Sequence, residues 1–190
     1  MDYDTPVIYD ANVLFPFHVG HTLVFMASRR LVVAKWTTEI QQEWLDNIAE
    51  RYPDDLKGCR SRCRAMNKAV LDALVMNYEH LISGIDFPDP NDRRVIAAAL
   101  HANARGIVTR DKKHFTAKSL KPINLARVDP DDLLVECHER FPDDCLHTLD
   151  LARRALTKTK PSLEEYFETL EHCKLTEFVR RVRTPSPKPA

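Results

Sequence analysis

Four acidic side chains lie beside apolar segments that could form strands, and their types could hold a metal ion. They are Asp10, Glu43, Asp92 and Asp111. Asp10 directly follows the apolar run Val7–Tyr9, and Asp111 comes two residues after a run that ends at Thr109. The other two lie near the start of helical patterns that follow apolar runs. Because ligands of open parallel sheets bind beyond the carboxyl ends of the strands, we expect the four acids to converge at one edge.

Converging carboxylates predict a particular chemistry. Each negative charge raises the pKa of its neighbours unless a positive charge lies among them. Sites made only of oxygen ligands favour a hard divalent cation, Mg²⁺ or Mn²⁺. Such ions position a phosphodiester, help to ionise a water molecule and stabilise charge on the leaving oxygen. The acids therefore predict metal-dependent phosphoryl chemistry.

The elements that must position these acids alternate along the chain. Five apolar runs are typical of short buried strands: residues 7–9, 31–34, 81–85, 107–109 and 123–125. Helical patterns lie between them, at about 21–30, from an N-cap at Thr38, at 59–78, from Asp89 and from Asp129. Asp89, Pro90 and Asp92 match the N-cap, N1 and N3 positions of a helix start. This alternation predicts an α/β fold, a parallel sheet with helices on both faces.

The pattern changes at about residue 136, where strand signals stop. Three helical segments follow, at about 143–157, 162–172 and 175–182, and Ser162 with Glu165 matches a capping box. We therefore predict an α/β domain at 1–135, a C-terminal helical extension at 136–183 and a flexible tail at 184–190, which contains three prolines.

Composition excludes several classes of protein. The 190 residues contain 28 Lys plus Arg and 28 Asp plus Glu, so the chain is not a strongly basic nucleic-acid-binding domain, although a local basic strip remains compatible. No run approaches 18 apolar residues, and the acidic start lacks the features of a signal peptide, so we expect no membrane association. Five cysteines, an odd number, indicate reduced thiols and a cytoplasmic location.

Three segments together resemble the PIN domain family, the metal-dependent ribonuclease fold of VapC-type toxins. They are Val7–Leu14, Asp89–Ala99 and Ile107–Phe115. Their order and spacing match the family over roughly residues 5 to 135. The Asp-Pro pair before the second segment is most similar to one VapC subgroup. That subgroup also appends helices that resemble the segment beginning at Ser162, so 1–135 would be a PIN-like nuclease domain.

The resemblance implies a site. The family's four acidic positions fall on Asp10, Glu43, Asp92 and Asp111, which would be its catalytic and metal-binding residues. Thr109 matches a small hydroxyl that would orient a ligand or water, Asn12 matches a position that supports the first aspartate, and Asp89 is a supporting N-cap. From the residues alone, Glu39, Asp46 and Glu50 compete with Glu43 for its role. The family further implies Mg²⁺ or Mn²⁺, an RNA substrate and a cognate antitoxin, and a homodimer is a further expectation.

Basic residues near these positions are candidate RNA contacts. They are Arg60 and Arg64 in the basic stretch 57–68, and Arg110, Lys112 and Lys113 around the last aspartate. Such side chains neutralise phosphates without reading sequence, whereas the alternative is a solvated helix face. His18, His21 and His114 are candidate proton carriers, and we assign none of them a catalytic role.

Two other functions remain open from the sequence. One is a non-catalytic PIN-like module that binds protein or nucleic acid, although four acids converging without an ion would destabilise the fold. The other is a phosphatase that forms an aspartyl-phosphate. That class requires a second acid two residues after the strand-end aspartate, where this chain has Asn12.

Overall fold

A computed structural model describes residues 4–87 and 89–184, and its centre is a four-stranded parallel sheet. The strands are β1 (Val7–Tyr9), β2 (Ala34–Lys35), β3 (Gly106–Val108) and β4 (Ala126–Val128). Their spatial order is β2-β1-β3-β4, so β1 and β3 lie in the middle and are fully buried. Because all strands are parallel, their carboxyl ends share one edge.

Helices connect and cover the strands. In chain order, they are α1 (Ala11–Leu14), α2 (Phe17–Ser28), α3 (Thr38–Arg51), α4 (Leu56–Ala69), α5 (Pro90–His101), α6 (Ala117–Leu120), α7 (Pro130–Arg140), α8 (Pro142–Arg154), α9 (Leu163–His172) and α10 (Thr176–Arg183). Short 3-10 helices occur at Pro53–Asp55, Glu79–Gly84 and Lys121–Ile123. The parallel sheet, the flanking helices and the C-terminal helices confirm the predicted fold.

A glycine allows the two strands beside the site to approach each other. Gly106 opens β3 opposite Ala126 of β4. A Cβ atom at Gly106 would lie 2.4 Å from the Ala126 carbonyl oxygen, too close for any other residue without movement of the backbone. This close pairing keeps β3 in register with both of its neighbours, so the residues that follow β3 have a fixed position at the sheet edge.

Several predicted elements were wrong in type or extent. The second strand is only Ala34–Lys35, and residues 81–85 lie mostly in a 3-10 helix instead of a strand. The last strand is Ala126–Val128, after the predicted run at 123–125. The helix predicted at 59–78 ends at Ala69, and Thr37, not Thr38, is the N-cap of α3 because its side chain accepts the Ile40 N–H. Helix α2 begins earlier than predicted, at Phe17.

The C-terminal helices pack on the α/β core. Helix α8 contacts α2 and α7, and α10 packs on α7 and α9. The Asp131 carboxylate of α7 accepts hydrogen bonds from the Glu177 and Phe178 N–H groups, at 3.0 and 2.9 Å, and so caps the start of α10. The division between 1–135 and 136–183 stays a prediction, and α7 crosses it. Most of the predicted flexible tail, residues 185–190, lies outside the described residues.

Candidate metal centre

An open cleft of 680 Å³ lies at the carboxyl edge of the sheet, between α3, α5 and the segment after β3. Eight carboxylates line it: Asp10, Glu39, Glu43, Asp46, Glu50, Asp89, Asp92 and Asp111. Arg94 and His114 are the basic side chains that line this cleft among the residues that the structure describes. The structure therefore brings the four acids predicted from the sequence into one strongly negative cavity.

Asp10 lies at the bottom of this cleft, where β1 ends. Its side chain is buried, with 6% of its surface exposed, and its Oδ1 accepts the Ala11 N–H at 2.7 Å, which caps α1. Its Oδ2 accepts hydrogen bonds from Asn12 Nδ2 at 2.6 Å and from Thr109 Oγ1 at 2.7 Å. Burial raises the pKa of Asp10, and the negative charge of Asp111 adds to this effect, whereas the hydrogen bonds from Thr109 and Ala11 oppose it.

A hydrogen-bond network fixes the orientation of Asp10. The buried Thr109 hydroxyl donates to Asp10 and accepts from Asn12 Nδ2 at 2.7 Å and from the Asp111 N–H at 3.1 Å. Asn12 Oδ1 in turn accepts the Arg110 N–H at 3.1 Å. A hydroxyl can donate one hydrogen bond and accept two. All three positions of the Thr109 hydroxyl are therefore occupied, and its hydrogen bonds link the end of β1 to the end of β3.

Asp92 enters the cleft from the first turn of α5. Asp89 is the N-cap of this helix and accepts the Asn91 N–H at 2.8 Å, and Pro90 occupies the first turn, as predicted. Asp92 Oδ2 is buried but accepts no hydrogen bond from any described residue. Burial, together with the negative charge of Asp89, raises the pKa of Asp92 to about 6, although His114 acts in the opposite direction.

Asp111 and His114 form a turn directly after β3. Asp111 Oδ1 accepts the Lys113 and His114 N–H groups, at 2.8 and 2.9 Å. The imidazole Nδ1 of His114 lies 3.1 Å from Asp111 Oδ2 and 3.3 Å from Asp92 Oδ2, so the ring stands between two carboxylates. The sequence analysis assigned His114 no role, because a lone histidine in a loop carries no directional signal.

Glu43 faces the same cleft from α3, with an exposed side chain. Its pKa is raised, first by partial desolvation within the cleft and then by the charges of Asp10, Asp92 and Asp89. These charge effects show that Glu43 lies close enough to the other acids to interact with them. Its competitors Glu39, Asp46 and Glu50 also line the cleft, but Glu39 accepts a hydrogen bond from Tyr78 and Asp46 one from Gln42.

The residues of the cleft fit a divalent cation. One nitrogen or oxygen atom each from Asp89, Asp92 and His114 lies within 4.8 Å of the others, a spacing compatible with shared coordination. The buried Asp92 Oδ2, which accepts no hydrogen bond from any described residue, has the unmet valence that a cation would satisfy. The pKa values of three acids in the cleft are raised, first by burial and then by the charges of neighbouring acids, and a bound cation would offset both effects.

The predicted RNA contacts lie in different surroundings. Lys112 and Lys113 are exposed beside Asp111, whereas Arg60 and Arg64 are exposed on α4 and do not line the cleft. Arg110 is half-buried, and its guanidinium donates to the Cys173 carbonyl at 2.5 Å, so it ties the end of β3 to the end of α9. The sequence analysis missed Arg94, which lines the cleft two residues after Asp92.

Two known protein families match different parts of the chain. Residues 6–113, more than half of the chain, match the family described as PIN domain. The chain belongs to the PIN domain family. Residues 130–184 match a second family, described as VapC50 C-terminal domain. The PIN domain thus carries a VapC-type C-terminal extension, as predicted from the resemblance.

A curated relative supports the same subgroup. The relative, named "Putative ribonuclease VapC50", is from Mycobacterium tuberculosis and is 38% identical over 64 residues. The matched region covers 34% of this PIN domain protein and 37% of the relative, about a third of each chain. No solved structure gives a significant match.

Proposed function

We propose that this protein is a Mg²⁺- or Mn²⁺-dependent endoribonuclease and the toxin of a type II toxin–antitoxin pair. The observation that carries the proposal is the acidic cleft, in which acids from four segments meet and the buried Asp92 Oδ2 accepts no hydrogen bond from the part of the chain that the structure describes. Membership of the PIN domain family and the ribonuclease name of the relative support the same activity.

The proposed site residues fall into two groups. Asp10, Glu43, Asp92 and Asp111 hold the cation; this list is the one predicted from the sequence. A bound divalent cation would make an attacking water more acidic and would neutralise charge on the phosphate. Thr109 and Asn12 hold the Asp10 carboxylate in one orientation through their hydrogen bonds to Oδ2. In the hydrolysis, the water oxygen bonds to phosphorus and the bond from phosphorus to the leaving sugar oxygen breaks.

Cleavage of RNA by the purified chain tests the proposal. New RNA ends should appear after addition of Mg²⁺ or Mn²⁺ and disappear in the presence of a chelator. Asp92→Asn should abolish them while its far-UV circular dichroism stays that of the wild type, because the amide keeps the size of the side chain and removes its charge. Metal-independent cleavage, or full activity of the variant, would remove this function and favour a binding module.

We expect Lys112 and Lys113, the basic residues after β3, to contact RNA phosphates. Lys113→Ala should weaken RNA binding and reduce the slope of log affinity against log salt by about 0.7, the value for one phosphate contact on a single strand. Lys158→Ala, at an exposed position that does not line the cleft, is the matched control and should leave the slope nearly unchanged. Fluorescence anisotropy at several salt concentrations measures both, and equal slopes for the wild type and Lys113→Ala would contradict the contact.

A second surface fits the proposed antitoxin. An apolar groove of 600 Å³ lies between the start of α2, α3 and α4, and Phe17 and Tyr52 on it are 46% and 54% exposed. Arg62 lies over the rings of Trp44 and Phe17, at 4.7 and 5.0 Å. Burial lowers the pKa of Arg62 to about 10, and no carboxylate pairs with it among the described residues. We propose that an apolar segment of the antitoxin binds here and places an acidic side chain opposite Arg62.

Charge placed in the groove should prevent this docking. Tyr52→Glu should weaken binding of the proposed cognate antitoxin, measured by calorimetry, by about 10-fold or more, because an exposed aromatic anchor is replaced by a solvated charge. Leu163→Glu, on α9 of the extension and 46% exposed, is the matched control. The opposite result, loss only with Leu163→Glu, would move the docking surface to the C-terminal helices.

The remaining expectations stay predictions. No described helix is long and apolar enough to cross a membrane. A cytoplasmic location is the expectation from the odd cysteine count, and homodimer formation is tested by the mass of the purified chain in solution.

A further inference from the structure

The Nδ1 atom of His114 occupies an unusual place in the cleft, between carboxylates from two different elements. It lies 3.3 Å from Asp92 Oδ2 and 3.1 Å from Asp111 Oδ2. Neighbouring ligands of an octahedral cation with bonds of about 2.1 Å are separated by about 3 Å. The separation of Nδ1 from the buried Asp92 Oδ2 is close to this spacing, and one ligand atom each from Asp89, Asp92 and His114 lies within 4.8 Å of the others.

The position of the imidazole is built into the loop after β3. The His114 N–H donates to Asp111 Oδ1 at 2.9 Å, and this hydrogen bond closes the turn between the two residues. The His114 carbonyl accepts the Thr116 N–H at 3.0 Å and the Ser119 hydroxyl at 3.1 Å. The backbone of His114 is thus held on both sides, and its ring is directed at α5, the helix that carries Asp92 and Asp89.

A nitrogen ligand changes which ion such a site prefers. Mg²⁺ binds oxygen ligands almost exclusively, whereas imidazole binds first-row transition ions well. We propose that His114 Nδ1 is a direct ligand of the divalent cation, together with Asp92, and that it makes the site selective for Mn²⁺ over Mg²⁺. This inference rests on the proposed function, because it assumes that the acidic cleft holds a divalent cation.

Metal binding without RNA tests the inference. Calorimetry should give the wild type a Mn²⁺ affinity at least about 10-fold above its Mg²⁺ affinity. Electron spin echo spectroscopy of the Mn²⁺-loaded protein should show coupling to a ¹⁴N nucleus. His114→Asn replaces Nδ1 by an amide oxygen at nearly the same position. It should abolish the nitrogen coupling and lower Mn²⁺ affinity by about 10-fold, while Mg²⁺ affinity changes little.

Two controls separate a ligand from a counter-charge. His147→Asn, at an exposed position of α8, should change neither affinity nor coupling. If His114 only neutralised the acids, then His114→Asn and His114→Ala would raise the affinity for both metals by the same factor. That result, or a wild-type protein without nitrogen coupling, would overturn the inference.

Failure of the inference is distinguishable from failure of the proposed function. Metal-dependent RNA cleavage without nitrogen coupling would leave the ribonuclease proposal intact and remove the role of His114. Nitrogen coupling in a protein that does not cleave RNA would support the role of His114 as a ligand and remove the ribonuclease proposal. Far-UV circular dichroism of both His114 variants shows whether each is folded, and two substitutions at a position that is one-third exposed guard against a single variant that misfolds.

Discussion

Substitution Asp10→Asn should lower RNA cleavage on the order of 10³-fold or more, which corresponds to roughly 4 kcal/mol of transition-state stabilisation. Asp10 is the acid held most firmly in the cleft, since three donors fix its two oxygens. An amide of the same shape keeps an oxygen for Asn12 and Thr109 but loses the negative charge that attracts the cation. The activity loss should therefore come from charge and not from altered position.

The same variant should fold about as stably as the wild type. In the variant, the amide NH₂ group would face the Ala11 N–H, so two donors would meet and the cap of α1 would be lost. Loss of this cap destabilises the folded protein by about 1 kcal/mol. Removal of a buried charge whose pKa is raised acts in the other direction. The two effects oppose each other, so we expect the free energy of unfolding to change by about 1 kcal/mol or less.

Initial cleavage rates at saturating metal, with thermal unfolding of the same preparations, measure both effects. Asp46→Asn is the matched control, because it removes one charge from the rim of the same cleft at a residue already engaged with Gln42. It should retain most of the activity. The assignment of Asp10 is falsified if Asp10→Asn cleaves RNA at the wild-type rate, or if Asp46→Asn is equally inactive.

The strands that carry the site could be predicted because their sequences are unambiguous. Val7–Tyr9 and the run before Thr109 are apolar and lie in the middle of the sheet, buried on both faces. The strands at the edges of the sheet were harder to predict. The run at 81–85 is equally apolar, yet it forms most of a 3-10 helix that packs on α5, since short apolar runs do not distinguish strand from buried helix.

The candidate acids could be predicted for the same reason, and the basic residues could not. Asp10 and Asp111 follow central strands directly, so the sheet fixes where they lie. His114 lies six residues beyond the end of β3, and the Asp111 turn, not any periodicity, directs its ring. The role of Arg110 in holding α9 likewise depends on a contact with Cys173 that is 63 residues away in sequence.

In the metal-free protein, Asp92 should contribute a loss of stability as the pH rises from about 4 to 7, while His18 and His21 act in the opposite direction because burial lowers their pKa values. Burial and the charge of Asp89 raise the pKa of Asp92 from 3.8 to about 6 in the folded state. A raised folded-state pKa means that the folded protein holds the proton more tightly than the unfolded chain. The stabilisation is therefore complete below the unfolded value of 3.8 and is lost as the pH passes through about 6. This contribution is below about 3 kcal/mol, because solvent screens a side chain that is only partly buried.

Asp10 and Glu43 add to this loss, because their pKa values are also raised. Thermal unfolding in the presence of a chelator, measured at several pH values, should show the melting temperature of the wild type falling over this range relative to that of Asp92→Asn. In Asp92→Asn the fall should be smaller, and at pH 7 the metal-free variant should melt above the wild type. Saturating Mn²⁺ should reverse that order, since the cation stabilises only the folded protein that binds it. A difference in melting temperature between the two proteins that does not change between pH 4 and 7, or metal stabilisation of equal size in both proteins, would show that Asp92 is not part of an unsatisfied anionic site.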